Sequence, residues 1–325
     1  MRTLLVLNPH AAGGKAAALA KPLKTWLAKN QPDWQLAIAH NVAIGRRLID
    51  AMPQGSRIVL VGGDGTFNQM LPSLIAGEHS AALVPYGSGN DLARALGLRG
   101  LSWRKALALA SSQTPQRMDI GLAEFEVLPE TNENQEDDQL ESQKADQEEG
   151  QNEDRLYSVP FASSFTTGFD SSVGLRALNG PKWLRGLPRY LLATVRELLH
   201  FRKWGLVVLA DGKPIYTTEA LFASSLNTPT FGAGMPAVPH ASIDDGQLNL
   251  LLAKNVSVWQ TILLLPDLLF GKHLNHPKVH TQPFQTLQIK SDTPIPLAAD
   301  GEYLGTSQNI HIRILKGQLP IVAKS

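Results

Sequence analysis

Short apolar runs alternate with stretches of helical spacing over the first 120 residues. The apolar runs predict four strands, and apolar residues that recur every three or four positions predict four helices. The strands are predicted at residues 4–7, 34–39, 58–61 and 81–85, and the helices at residues 15–28, 46–51, 68–75 and 91–96. This alternation is typical of a doubly wound, Rossmann-like α/β sheet, which binds ligands at the carboxyl ends of its strands.

After residue 121 the pattern changes to short apolar runs separated by frequent turns. Asp211-Gly212 is a typical hairpin turn, and the runs around it suit antiparallel strands. We therefore predict a second, β-rich domain, a β-sandwich, over residues 122–309, interrupted by one long helix at residues 181–204. The last strand, at about residues 310–325, is predicted to return to the first domain, residues 1–121.

Charge is spread unevenly along the chain, although the net charge is only +1. Between Glu124 and Asp154, thirteen acidic residues accompany a single lysine, so the rest of the chain is basic. Residues 130–154 have few apolar positions and no period, which predicts a mobile surface insertion. The basic remainder favours an anionic partner such as a nucleotide or a phospholipid surface. Nucleic acid is not expected, because no binding motif is recognisable and interleaved aromatic residues are few.

The chain has no cysteine, which excludes disulfide bonds, thiolate metal sites and a cysteine nucleophile. Its first residues hold too few consecutive apolar positions for the core of a signal peptide. No stretch reaches the roughly 18 apolar residues that a spanning helix needs. Together these features predict a cytoplasmic protein.

Three glycine-rich turns follow predicted strands, at Gly13-Gly14, residues 62–65 and residues 87–89. We expect them to cluster in one crevice, where backbone N–H groups can approach phosphate oxygens. Asp64 in the second turn would repel phosphate unless a divalent cation lay between them, and Mg²⁺ is the natural choice. Asp91, after the third turn, would be a second carboxylate in that crevice. The alternative for both aspartates is a helix cap without chemistry.

Four motifs in a fixed order support a family resemblance. They are NP-x-x-x-G at residues 8–13, GGDGTFNQ at residues 62–69, P-x-G-S-G-N-D-L-A-R at residues 85–94 and D-G-E at residues 300–302. In this order the chain resembles the diacylglycerol kinase catalytic family, which includes bacterial lipid kinases and sphingosine kinases. GGDGT alone is shared with NAD kinases and phosphofructokinases, whereas the third motif and the late D-G-E are more specific.

The resemblance implies roles for individual residues. Asp64 and Asp91 would organise Mg²⁺ and the transferring phosphate, and Glu302 would accept the proton of the acceptor hydroxyl. Asn41 would lie near the adenine. The remaining implied contacts to ATP are Asn8, Pro9, His10, Ala11, Ala12, Gly13, Gly62, Gly63, Asp64, Gly65, Thr66, Phe67, Asn68, Gln69 and Ser88.

A second Mg²⁺ site is also implied by the resemblance, in the stretch PHASIDDGQLNL at residues 239–250. In the bacterial members this stretch holds a structural cation, which here implies Asp245 with Ser242 and Gln247. A DDG turn without a metal is the alternative. Two departures from the family pattern concern the phosphate side: Ser88 replaces a common threonine, and Gln69 replaces a frequent glutamate.

The activity that the resemblance implies is ATP- and Mg²⁺-dependent transfer of a phosphoryl group to a lipid hydroxyl, with diacylglycerol giving phosphatidate. The lipid would come from an anionic membrane surface on the inner face. Two stretches could contact it, the basic amphipathic residues 181–204 and the apolar residues 259–274, which Pro266 is expected to break. An NAD kinase and a non-catalytic nucleotide or membrane sensor are the alternatives, and a homodimer is left open.

Overall fold

The computed structural model describes residues 1–87, 89–128, 156–181, 183–184, 186–232 and 234–324. Ser88 and the acidic insertion predicted at residues 130–154 lie outside these residues. The described strands, thirteen in number, join in one hydrogen-bonded sheet.

Strands and helices alternate through the N-terminal half, as the sequence predicts. The elements are β1 (Thr3–Leu7), α1 (Ala20–Asn30), β2 (Gln35–Ile38), α2 (Val42–Asp50), β3 (Arg57–Gly62), α3 (Asp64–Ala76), β4 (Ser80–Pro85), α4 (Asp91–Ala95) and α5 (Trp103–Ser112). The strands pair in parallel in the order β2-β1-β3-β4. This order confirms the doubly wound, Rossmann-like sheet.

Apolar side chains on both faces explain why these strands are continuous hydrophobic runs. In β1, Leu4 and Val6 pack into one hydrophobic cluster, while Leu5 and Leu7 pack into a second cluster. Every residue of β1 and β3 is buried. A parallel strand covered by helices on both sides requires this composition.

Two helices begin earlier than predicted. The helix predicted from residue 46 starts at Val42, because the Asn41 side chain accepts a hydrogen bond from the Ile44 N–H group and caps it. The helix predicted from residue 68 starts at Asp64, so residues 64–67 form its first turn rather than a loop. A carboxylate is favourable at this position, since the helix dipole is positive there.

The C-terminal half is built mainly from antiparallel strands. They are β5 (Gln116–Glu126), β6 (Leu156–Phe161), β7 (Ser164–Thr167), β8 (Trp204–Ala210), β9 (Lys213–Leu226), β10 (Leu248–Lys254), β11 (Val279–Phe284), β12 (Thr286–Ala299) and β13 (Glu302–Ile321). The hairpin at Asp211-Gly212 is confirmed: both residues have positive φ, 48° and 75°, and β8 and β9 pair on either side.

Among the described residues of this half, three α-helices cover the strands: α6 (Phe169–Leu178), α7 (Leu187–Glu197) and α8 (Val258–Leu269). The prediction of one long helix at residues 181–204 is wrong. Gly186 has a φ of 62° and precedes α7, a short 3₁₀ turn follows α7, and Trp204 already belongs to β8.

The prediction that Pro266 breaks the apolar stretch at residues 259–274 is also wrong, because α8 continues through it to Leu269. Pro266 is exposed, so the Ile262 carbonyl that loses its helical partner faces the solvent side of the helix. Among the described residues, no helix is both long and apolar enough to cross a bilayer.

Strand β13 joins the two halves. It pairs antiparallel with β12 near its start, antiparallel with β5 further along, and parallel with β4 at its end, where Ile321 lies opposite Ala81. The residue that begins β13 is therefore held beside β12, while the other end of the same strand is the fifth member of the parallel sheet. The limits of the two predicted domains stay a prediction.

Candidate functional site

The carboxyl ends of β1, β3 and β4 meet at one edge of the sheet. The Asn8 side chain, just past β1, donates a hydrogen bond from Nδ2 to Thr66 Oγ1 at 2.8 Å. A Cβ atom on Gly87 would lie 2.7 Å from the Gly63 Cα atom, so the turns after β3 and β4 touch and require glycine for their close approach. The structure thus brings Asn8 to the start of α3 and packs the turn after β3 against the turn after β4. That the Gly13-Gly14 turn joins them stays a prediction.

Asp64 and Asp91 face the same space. The Asp91 backbone N–H group donates to Asp64 Oδ2 at 2.6 Å. A Cβ atom on Gly89 would lie 3.6 Å from Asp64 Oδ2 and 4.0 Å from Asp91 Oδ2, so the absence of a side chain at Gly89 leaves the space before both carboxylates open. Thr230, which the sequence did not single out, donates to Asp91 Oδ1 at 2.8 Å and fixes its orientation.

Two carboxylates in one partly buried space repel each other unless a cation lies beside them. Burial, followed by the charge of Asp91, raises the pKa of Asp64 to about 7. Asp64 Oδ1 is closed off from solvent and has no hydrogen-bond partner among the described residues. A closed-off carboxylate oxygen beside a second carboxylate fits a hard cation, which accepts oxygen ligands of this kind. No group of three or more His, Asp or Glu side chains in the described ranges is arranged to hold a metal.

Glu302 reaches α3 from the far end of the chain. It begins β13, directly after the turn at Asp300-Gly301, where φ is 47° and 86°. Its Oε1 atom accepts a hydrogen bond from Gln69 Nε2 at 2.6 Å, and Gln69 lies on α3, whose first residue is Asp64. Burial raises the pKa of Glu302, while the Gln69 hydrogen bond and the Arg46 charge oppose that rise.

Arg46 is a charged residue that the sequence did not single out. Its Nε atom donates to the Gln69 backbone carbonyl at 2.8 Å, so it holds the residue that in turn holds Glu302. The signal in the sequence was weak, because a Gly-Arg-Arg stretch on a predicted helix is usually a solvated face.

Asp300 fixes the hairpin from which Glu302 projects. Its carboxylate accepts backbone hydrogen bonds from Ala162, Ser163 and Ser164 at 2.7, 2.7 and 2.8 Å. Burial raises the pKa of Asp300 to about 6. The D-G-E motif therefore has a structural residue and a candidate catalytic residue two positions apart.

Replacing Asp300 by alanine is expected to lower the free energy of unfolding by about 3 kcal/mol or more, because three N–H groups of buried residues lose their acceptor. Chemical denaturation measures this loss. The control is Asp211→Ala: Asp211 Oδ1 accepts two backbone hydrogen bonds, from Gln285 and Thr286, but it is exposed. We expect a clearly smaller loss there, and equal losses would contradict this account.

A cavity of about 200 Å³ opens next to the Asn8–Thr66 contact. Its size suits one aromatic base rather than a whole nucleotide. It includes five of the predicted ATP contacts, and its lining residues are Val6, Asn8, His10, Ala39, His40, Asn41, Val42, Thr66, Gln69 and Met70. A larger hollow of about 420 Å³ lies between α1 and α5 and contains none of the predicted site residues.

The other predicted ATP contacts lie in the loop after β1, at the end of β3 and on the first turn of α3, and not all of them face the crevice. Pro9, Ala11, Ala12 and Gly13 form the loop after β1, in which Ala12 and Gly13 have positive φ. Gly62 ends β3, and Gly65 is exposed on the first turn of α3. Phe67 is fully buried in the core, and Asn68 is 8% exposed, so the structure does not bring the Phe67 side chain to the crevice.

The predicted second metal site lies in the loop before β10. Asp245 is exposed and its Oδ1 atom accepts from the Gln247 N–H group at 2.9 Å, whereas the Ser242 hydroxyl donates to Asp244 instead, at 2.6 Å. Buried Asp119 anchors this loop by accepting from the Gly246 N–H group at 2.6 Å. A cation held by Ser242, Asp245 and Gln247 stays a prediction.

Comparison with known proteins gives two family matches that together span most of the chain. The model described as "Diacylglycerol kinase catalytic domain" matches residues 2–123. The model described as "YegS C-terminal NAD kinase beta sandwich-like domain" matches residues 163–323. The second description agrees with the antiparallel strands of the C-terminal half.

Individual relatives are distant. A diacylglycerol kinase of Mycobacterium tuberculosis (strain CDC 1551 / Oshkosh) is 27% identical over 257 residues, 79% of this chain and 74% of its own length. A protein of Chromohalobacter salexigens named "Probable lipid kinase YegS-like" is 26% identical over 274 residues, 82% of this chain and 76% of its own length.

A crystal structure of a diacylglycerol kinase from Bacillus anthracis (strain Sterne) shares the fold, with a TM-score of 0.66 at 17% identity over 99% of this chain and 97% of that one. The motifs, the fold and the two domain matches agree. The chain belongs to the diacylglycerol kinase catalytic family, in the branch that carries the YegS C-terminal domain.

Proposed function

We propose that this kinase transfers the γ-phosphoryl group of ATP to the hydroxyl group of a membrane lipid, with diacylglycerol as the acceptor and phosphatidate as the product. The observation that supports the proposal most is the hydrogen bond between Gln69 and Glu302 at 2.6 Å, because it brings a carboxylate from β13 to α3, the helix that begins with Asp64. The choice of diacylglycerol rests on the name of the Mycobacterium tuberculosis relative.

Glu302 acts as the general base in this reaction. Its carboxylate takes the proton of the acceptor hydroxyl, and the acceptor oxygen forms a bond to the γ-phosphorus as the bond to the β–γ bridging oxygen breaks and ADP leaves. Gln69 keeps Oε1 of Glu302 in one position through its hydrogen bond. That hydrogen bond and the positive charge of Arg46 both oppose the rise in the pKa of Glu302 that burial causes, and so favour the ionised form that can take the proton.

The phosphate side is held by the first turn of α3. Backbone N–H groups at a helix start bind phosphate oxygens, and Gly63 and Gly65 leave the backbone accessible there. Asp64 and Asp91 would hold Mg²⁺, and the cation would supply positive charge beside the transferring phosphoryl group. The 200 Å³ cavity at Asn8 and Asn41 would receive the adenine.

An acceptor screen tests the proposal. Purified protein is incubated with γ-labelled ATP, Mg²⁺ and mixed micelles that contain either diacylglycerol, a long-chain amino alcohol or phosphatidylglycerol, and NAD is offered separately in solution. We expect labelled phosphatidate. If only another lipid is labelled, that lipid and not diacylglycerol is the acceptor. If only NAD is labelled, the protein is an NAD kinase and not a lipid kinase. Tight ATP binding without transfer to any acceptor would overturn catalysis.

The proposed location is the inner face of a membrane, with the protein bound peripherally. The acceptor lipid and the ATP would then meet at the boundary between membrane and cytoplasm. The basic character of the chain outside residues 124–154 supports attraction to an anionic surface.

A further inference from the structure

Helix α8 carries an apolar stripe on its solvent side. Trp259, Leu263 and Phe270 are 76%, 72% and 75% exposed, and Ile262 is 38% exposed. Trp259, Leu263, the exposed Pro266 and Phe270 follow each other at intervals of four, three and four residues. Ile262 lies beside Leu263 and three residues after Trp259, so all five share one face of the helix and its C-terminal end. We call Trp259, Ile262, Leu263, Pro266 and Phe270 the α8 stripe.

The opposite face of α8 is already packed. Thr261 is buried, Leu264 packs on the large core of the β strands, and Leu268 and Leu269 pack on a smaller cluster around Phe231 and Met235. The α8 stripe is therefore not the side by which the helix attaches to the protein. A helix that is apolar on its outer side as well is typical of one that has a further apolar environment to enter.

A lysine lies near each end of α8. Lys272 is exposed just beyond Phe270, and no carboxylate of the described residues lies within 4.0 Å of it. At the other end, Lys278 Nζ donates to the Asn255 carbonyl at 2.6 Å and to Gln260 Oε1 at 3.0 Å. The acid within the helix, Asp267, is half-buried. Burial lowers the pKa of the nearby His273, and the Asp267 charge opposes that fall.

The C-terminal end of α8 packs on a loop that also contacts the proposed catalytic crevice. A Cβ atom on Gly271 would lie 3.4 Å from Pro239 and 3.6 Å from Pro236, so the helix end rests on the loop between β9 and β10. Thr230 of that same loop donates to Asp91 Oδ1. A surface held against α8 would therefore lie next to the segment that orients one of the two carboxylates.

We infer that the α8 stripe docks on the interface of a lipid bilayer that contains anionic lipids, with the helix lying in the membrane plane. Tryptophan and phenylalanine at the two ends suit the boundary between head groups and acyl chains, and flanking lysines suit anionic head groups. Twelve residues are too few to span the bilayer. This inference rests on the proposed function, because it gives the enzyme access to a membrane acceptor.

The test compares Leu263→Glu with wild type by co-sedimentation of the full chain with vesicles of phosphatidylcholine containing phosphatidylglycerol. We expect the variant to bind about tenfold more weakly or worse. The matched control is Leu156→Glu, since Leu156 is 65% exposed at the start of β6. It should bind as wild type does. Lys272→Glu should weaken binding to anionic vesicles and leave binding to pure phosphatidylcholine unchanged.

Two readouts separate this inference from the proposed function. Leu263→Glu should keep wild-type phosphorylation of a short-chain diacylglycerol dissolved below its micelle concentration, and lose phosphorylation of long-chain diacylglycerol in vesicles. If no acceptor is ever labelled but vesicle binding still depends on Leu263, the docking surface holds and the kinase proposal fails. Equal vesicle binding by Leu263→Glu and wild type would overturn the docking surface.

A second copy of the chain is the other candidate occupant of the α8 stripe. Light scattering without lipid distinguishes it: wild type should have the same mass as Leu263→Glu. A wild-type dimer that Leu263→Glu converts to a monomer would assign the stripe to self-association and overturn the membrane assignment.

Discussion

Replacing Asp64 by asparagine is expected to reduce phosphoryl transfer by about 10³-fold, because in the proposed mechanism the Asp64 charge would hold the cation beside the transferring phosphoryl group. The change preserves the shape of the side chain, so the closely packed glycine turns are not disturbed. Labelled transfer from ATP measures the loss. Asp33→Asn is the control, since Asp33 is exposed and lies outside the site; it should keep wild-type activity.

The same substitution is expected to stabilise the metal-free protein at neutral pH. Asp64 has a pKa of about 7 in the folded chain, against 3.8 as its ordinary value, so the folded chain binds more protons between these values than the unfolded chain does. The stability that goes with this proton uptake is complete below 3.8 and is lost as pH rises through about 7. Asparagine carries no charge and removes this loss.

Thermal unfolding without Mg²⁺, followed from about pH 5 to about pH 8, tests this expectation. Asp170 and Asp300, whose pKa values burial raises to about 6, contribute similar slopes to both proteins, so only the difference between the curves is informative. The variant should gain stability over wild type as pH rises. Parallel curves would show that the pKa of Asp64 is not raised in the folded protein.

Replacing Glu302 by glutamine is expected to lower kcat by about 10²- to 10⁴-fold and to leave ATP binding unchanged. Glutamine can still accept the hydrogen bond that Gln69 donates to Oε1, but it cannot take up the proton of the acceptor hydroxyl. Steady-state transfer rates and nucleotide titration separate the two effects. Glu78→Gln, at an exposed position after α3, is the control.

The pH dependence of the transfer rate provides a second test of Glu302 as the general base. Burial raises the pKa of Glu302, so the wild-type rate should rise with pH through an ionisation above the ordinary value for glutamate. Gln69→Leu removes a contact that lowers this pKa and should move the rising limb to higher pH. A limb that stays in place in Gln69→Leu, or that persists unchanged in Glu302→Gln, would assign the ionisation to another group.

The sequence predicted the parallel half of the fold well, because its strands are buried on both faces and their apolar runs are unambiguous. Helix starts were less accurate. The glycines at positions 63 and 65 suggested a loop, whereas α3 begins at Asp64. A carboxylate in the first turn of a helix is favourable, because the helix dipole is positive there. Residues 181–204 suggested one helix, because the apolar and basic spacing continues past the Gly186 turn and into β8.

The site was predictable as a set of motifs but not as a set of contacts. Gln69 and Glu302 are separated by 233 positions, and Thr230 and Asp91 by 139, so no local spacing relates them. Asp300 looked like an ordinary turn residue, since its three hydrogen bonds come from residues more than a hundred positions away. Such roles depend on tertiary packing, which a single sequence does not encode locally.

The irregular pairing of β13 has a consequence for how the strand is anchored. Its pairing with β5 shifts register between Leu315 and Leu319, where Gly317 has a φ of 57° and donates its N–H group to Asp119 at 2.6 Å. Strand β13 is therefore irregular at the position that Asp119 holds, before it enters the parallel sheet. Asp119 Oδ2 also accepts from the Gly246 N–H group at 2.6 Å, so a single buried carboxylate ties this point of β13 to the loop before β10.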